Sequence, residues 1–201
     1  MFDLFCVTNR SLCTKPFLSQ IKEIAQSGVK GIILREKDLH PQEYQTLAQE
    51  VMDLCQGHTQ CILHSFADCA LSLGAPKIHL PLGVLRTLTE EQKQSFQMIG
   101  ASCHSLADAK EAEALGCTYL TLGHIFPTDC KKGVPPRGLS LLETVCSHTS
   151  LPVLAIGGIS PDNIRSVREA GAKGGCIMSG LMTCEDPKEL VKNLMRAGEI
   201  L

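Results

Sequence analysis

No stretch of the 201-residue chain approaches the ~20 consecutive apolar residues that span a bilayer. Neither sign of charge dominates: 19 Lys and Arg stand against 21 Asp and Glu, for a formal net charge of −2. That excludes the broad basic field of a non-specific nucleic-acid binder. Long charge runs are missing too, and apolar residues are spread along the whole chain, which argues against disorder. The start, Met1-Phe2-Asp3-Leu4-Phe5-Cys6, has neither the basic opening nor the apolar segment of a secretory signal. The expectation is a soluble, cytoplasmic protein with no nucleic-acid or membrane partner.

Cysteine is abundant, yet the arrangements that give it structural chemistry are missing. The eleven cysteines are odd in number and no two are spaced C-x-x-C. Cys55, Cys61 and Cys69, six and eight residues apart, do not match a zinc knuckle. They read as small buried hydrophobes in a reducing compartment. Cys130, followed by Lys131-Lys132, is the one thiol placed near a strand end with basic neighbours.

What the chain does have is alternation. Short apolar runs predict strands at Leu4–Thr8, Gly31–Leu34, Cys61–Leu63, Ile78–Leu80, Met98–Ser102, Tyr119–Leu122, Val153–Ile156 and Gly175–Met178. Amphipathic stretches lie between them. Tyr44, Leu47, Ala48, Val51 and Leu54/Cys55 share one helical face, as do Leu190, Val191, Leu194 and Met195. Ser160-Pro161 and Asp186-Pro187 each read as an N-cap followed by proline at the first helical position. Gly28, Gly74, Gly116 and Gly171 end helices as C′ residues, each just before a strand. Eight strand-helix units in about 200 residues match the lower limit of a (β/α)8 TIM barrel. An open doubly wound sheet is the main competitor, weakened by the lack of a G-x-G-x-x-G turn after the first strand. The expected architecture is α/β, one barrel domain over residues 1–201.

In such a barrel, chemistry belongs just after the strand ends. Gly157-Gly158 after strand 7 and Ser179-Gly180 after strand 8 let backbone N–H groups approach an anion, so the expected ligand is a phosphorylated small molecule. The segment after strand 6 carries Lys131, Lys132 and Arg137 among prolines and glycines. It is longer than a turn requires and reads as a lid. His64, His79, His104 and His124 lie at or near consecutive strand ends. A metal cluster is conceivable on residue type alone, but Glu36 is the one acidic residue at those positions. His124 stands apart, directly before the basic loop, where an imidazole can take and return a proton near neutral pH.

Leu34-Arg35-Glu36-Lys37, the run from Gly123 to Gly133, Ala155-Ile156-Gly157-Gly158-Ile159 and Met178-Ser179-Gly180 together resemble the thiamine phosphate synthase/TenI superfamily. The resemblance spans nearly the whole chain. One branch, thiamine phosphate synthase, joins a pyrimidine pyrophosphate to a thiazole phosphate with Mg²⁺. The other, TenI, is a metal-free thiazole tautomerase. Where the synthase pattern has Asn-Asp after strand 3, this chain has His64-Ser65. Where that pattern has an aspartate in the run after strand 4, this chain reads His79-Leu80-Pro81-Leu82-Gly83-Val84. The synthase has proline where this chain has His124.

These departures lead to the expectation of a thiazole tautomerase, an isomerase needing no cofactor and no metal, with His124 as catalytic base. The resemblance implies that Arg35, Lys37, Ser102, Lys131, Gly157, Gly158, Ser179 and Gly180 bind a phosphorylated thiazole. The alternatives are the synthase itself, a non-catalytic or regulatory thiazole-phosphate-binding protein and, more remotely, a zinc hydrolase. A homodimer is common in the superfamily, but no interface stripe is visible in the sequence.

Overall fold

The computed structural model describes residues 2–198. Eight parallel strands close into a barrel in chain order, β1 pairing with both β2 and β8. The strands are β1 (Asp3–Val7), β2 (Gly31–Leu34), β3 (Gln60–His64), β4 (Lys77–Pro81), β5 (Met98–Cys103), β6 (Tyr119–Gly123), β7 (Val153–Ile156) and β8 (Gly174–Ile177). Each agrees with its predicted strand to within one residue at either end.

Around them run α1 (Phe17–Ala25), α2 (Pro41–Cys55), α3 (Ala67–Ser72), α4 (Leu82–Leu85), α5 (Glu90–Gln94), α6 (Leu106–Ala114), α7 (Gly138–His148), α8 (Ile164–Glu169), α9 (Ser179–Thr183) and α10 (Pro187–Gly198). Gly28, Gly74, Gly116 and Gly171 all adopt positive φ, the left-handed conformation that stops a helix and sends the chain back into a strand. Asp186 caps α10, accepting from Glu189 N at 2.9 Å. Ser160-Pro161 does not start a helix. Residues 161–163 form a turn in which Asn163 Oδ1 accepts from Ser160 N at 2.9 Å and Ser160 O accepts from Ile164 N at 3.0 Å, and α8 begins at Ile164.

Two apolar layers follow from the two faces of each strand. The larger lies between strands and helices, where Tyr44, Ala48, Val51 and Cys55 of α2 and Val191 and Leu194 of α10 are buried. Burying a side chain such as Leu194 contributes roughly 1.5–3 kcal/mol. The smaller fills the barrel with Phe5, Val7, Ile33, Ile62, Tyr119, Leu154 and Cys176. Above this plug, toward the strand C-termini, the inward positions turn polar: His64, His79, Ser102 and Thr121. Tyr44 bridges the layers, its hydroxyl donating to Leu34 O at 2.7 Å and accepting from His64 N at 2.8 Å. The ends of β2 and β3 are thereby fixed side by side. No helix among the described residues is long and apolar enough to cross a membrane.

All eleven cysteines are free thiols. Six are buried and Cys130 alone is exposed, so the reading of cysteine as small hydrophobe fits most of them.

Candidate active site

The polar layer opens into a cavity of about 550 Å³ at the strand C-termini. Its walls include every predicted site residue: Arg35, Lys37, Ser102, His124, Lys131, Gly157, Gly158, Ser179 and Gly180, with His64, His79 and His104. Sequence reasoning missed Thr121, Arg86 and Asp108, which also line it.

Arg35 and Lys37 reach the cavity because the residue between them is turned the other way. Glu36 is buried beneath the turn, where it accepts from Thr8 Oγ1 at 2.6 Å and from Arg10 N at 3.0 and 3.1 Å. Thr8 Oγ1 also accepts from Arg35 N at 2.9 Å. Glu36, the one acidic strand-end residue, therefore holds the loop. Burial, then the nearby positive charges of Arg35 and Lys131, push the Lys37 ammonium below its ordinary pKa. The three cations share one region of the rim.

On the floor, His79, Gly100 and Tyr119 occupy one register row across β4, β5 and β6. The Tyr119 hydroxyl has one partner among the described residues, His79 Nδ1 at 2.9 Å. A buried phenol must donate, so Nδ1 accepts and the proton of the neutral ring sits on Nε2. That N–H faces Ser102 Oγ at 2.9 Å and Thr121 Oγ1 at 3.2 Å. With their oxygens occupied as acceptors, the two hydroxyls keep their own hydrogens for a ligand. Burial pushes the His79 imidazole down to about 3. His64 is pushed down to about 2, by burial first and then by His79, Lys37 and Arg35. Both rings are neutral at physiological pH.

The β7 and β8 turns, from which an anion cradle is expected, lie on the cavity wall. Gly157 and Gly158 have φ of 100° and 66°. A Cβ on Gly157 would collide with His124, and one on Gly158 with Pro127 O and Phe126. These glycines therefore also let the loop after β6 pack across the β7 turn. Ser179 and Gly180 open α9, where N–H groups have no intrahelical acceptor.

His124 is buried at the root of the β6 loop, its Nε2 donating to Val134 O at 3.1 Å while its own carbonyl accepts from Arg137 N at 2.8 Å. The ring thus ties down the loop that carries Lys131. His104 Nδ1 donates to Gly123 O at 2.6 Å. Lys132 is highly exposed and pairs with Asp129 at 3.6 Å.

The donor set does not fit a magnesium ion, which takes carboxylate and other hard oxygen ligands in octahedral geometry. Where the family pattern has its carboxylates stand His64-Ser65 and the run from His79 to Val84, which holds no Asp or Glu. Both Glu36 oxygens are occupied, and Asp108 accepts from His104 N at 2.7 Å. Among the described residues no three His, Cys, Asp or Glu side chains are grouped to hold a metal. This also removes the zinc-hydrolase alternative's cluster.

Comparison with known proteins corrects the functional expectation. The family profile for thiamine monophosphate synthase matches residues 4–181. The thiamine-phosphate synthase of Desulfitobacterium hafniense is 34% identical over 202 residues, covering 96% of each chain. That of Syntrophomonas wolfei is 31% identical over 206 residues, covering 98% of this chain and 97% of its own. The solved thiamine phosphate pyrophosphorylase of Pyrococcus furiosus superimposes with a TM-score of 0.84 at 28% identity, covering 98% of this chain and 95% of that one.

These relatives bear synthase names, so the tautomerase and isomerase expectations are overturned in favour of the transferase alternative. His124 Nε2 donates to Val134 O, which fixes the ring's tautomer and leaves Nδ1 as its acceptor. The chain belongs to the thiamine monophosphate synthase family.

Proposed function

We propose that this chain is a transferase of the thiamine-phosphate synthase type, joining a pyrimidine pyrophosphate to a thiazole phosphate. One observation supports this most directly. The cavity is lined by two kinds of anion-suited group, the Arg35, Lys37 and Lys131 cations and the glycine-rich β7 and β8 turns, enough to receive two phosphorylated substrates. In the reaction the carbon–oxygen bond to pyrophosphate breaks and the electron pair leaves with the pyrophosphate. The freed carbon bonds to the thiazole ring nitrogen, with no net oxidation. Arg35, Lys37 and Lys131 neutralise the leaving group's growing charge, the role of preorganised cations in such transfers. Gly157, Gly158, Ser179 and Gly180 hold the thiazole's phosphate on backbone N–H groups. Ser102 and Thr121 donate to the pyrimidine's acceptors, and His124 positions the loop that brings Lys131.

The test is incubation with both substrates, with product followed by mass spectrometry. Joined product supports the proposal; intact substrates overturn it. The missing carboxylates favour a second reading, a thiazole-phosphate-binding protein without the reaction. Tight thiazole phosphate binding with no product would support that one.

A further inference from the structure

We infer that the pyrophosphate group is held here by Arg35, Lys37 and Lys131 with no divalent ion bridging it to the protein, and that His64 and Ser65 set this mode. The inference rests on the transferase reading and concerns this chain's departure from its family's donor pattern. Three cations without an acidic partner among the described residues, Arg35, Lys37 and Lys131, line the cavity with Arg86, which is paired with Glu111, against one carboxylate, Asp108. A divalent cation entering this mouth meets like charge on the β2 and β6 loops and only one carboxylate, Asp108, one of whose oxygens already accepts from His104 N. A pyrophosphate meets the reverse, and its own charge relieves the mutual repulsion of the three cations.

His64 and Ser65 are built into place. Ser65 Oγ lies 2.7 Å from His64 Nδ1, and the His64 ring stacks on His79 with centroids 5.7 Å apart. Ser65 holds a φ of 67°, uncommon for a residue other than glycine, with its N–H donating to His79 O at 3.1 Å. A neutral imidazole under Arg35 and Lys37 removes the negative charge that would otherwise recruit a metal. It also leaves those two side chains free of a competing carboxylate, so that they face the substrate anion.

The probe is inorganic pyrophosphate, titrated calorimetrically into the wild-type protein in EDTA and again in excess Mg²⁺. Binding in EDTA that Mg²⁺ does not tighten is expected, and Lys37→Met should weaken it at least tenfold. The double variant His64→Asn/Ser65→Asp should bind at least fivefold more weakly in EDTA and recover when Mg²⁺ is added. Wild-type binding that appears only with Mg²⁺, or in neither buffer, would overturn the inference. Because the readout is binding, the two proposals separate. Metal-free pyrophosphate binding without joined product removes the transferase reading alone, whereas Mg²⁺-dependent binding with product removes this inference alone.

Discussion

His79 Nδ1 lies 2.9 Å from the Tyr119 hydroxyl although a whole strand separates their backbones. The residue between them is Gly100, and a Cβ there would overlap both rings. The missing side chain on β5 allows the floor of the site to exist. Gly100→Ala should therefore destabilise the fold by about 1–3 kcal/mol through overpacking. The midpoint of urea unfolding checks this; an unchanged midpoint would mean that the rings move aside freely.

Tyr119→Phe keeps the packing but strips the imidazole of its donor. Leaving a buried acceptor unpaired costs about 1–3 kcal/mol. The ring is also freed to change tautomer, turning the Ser102 and Thr121 hydroxyls toward it. A stability loss in that range with a raised KM for the pyrimidine substrate is the expected pair of results. A loss of stability with KM unchanged would take Ser102 and Thr121 out of substrate recognition.

The two buried histidines also make stability depend on pH. In the unfolded chain an imidazole titrates near 6.5, whereas folded His79 and His64 are held down to about 3 and about 2. Between those values the unfolded state binds the protons, so stability falls as pH drops below 6.5 and is complete above it. At pH 5.5 each ring costs about 1.4 kcal/mol relative to the plateau. Urea unfolding at pH 7.5 and 5.5 measures the difference. His64→Asn should lose close to half of this dependence, and an unchanged slope would show that the ring is solvated.

Much of the barrel is visible in the sequence because its signals are local. The helix-ending glycines Gly28, Gly74, Gly116 and Gly171 each need positive φ, and Asp186-Pro187 caps the helix that follows it. Ser160-Pro161 leads into a turn before α8 rather than straight into the helix, with Asn163 Oδ1 accepting from Ser160 N. The site residues could be named from strand ends, but their partners could not. Glu36 lies 28 positions from Thr8, and His79 meets Tyr119 through the register of three strands. His124 is legible as a strand-end imidazole, but the contact of its Nε2 with Val134 O, ten residues on, is not.

Glu36 offers a test of loop positioning. Glu36→Gln retains the shape but replaces one acceptor oxygen with a donor facing Thr8 and Arg10 N, so Arg35 and Lys37 lose their fixed base. KM for the pyrophosphate substrate should rise about tenfold, equivalent to about 1.4 kcal/mol of binding, with kcat little changed. A fall in kcat at constant KM would mean that the loop acts on the chemical step instead.

On the transferase proposal, one mouth receives two phosphorylated substrates and transfers a group between them. Pyrophosphate release, followed with each substrate alone and with both, tests it most directly. Release is expected only when both are present, in one-to-one proportion with joined product. Release from the pyrimidine substrate alone at the same rate, or no release with both, would contradict it.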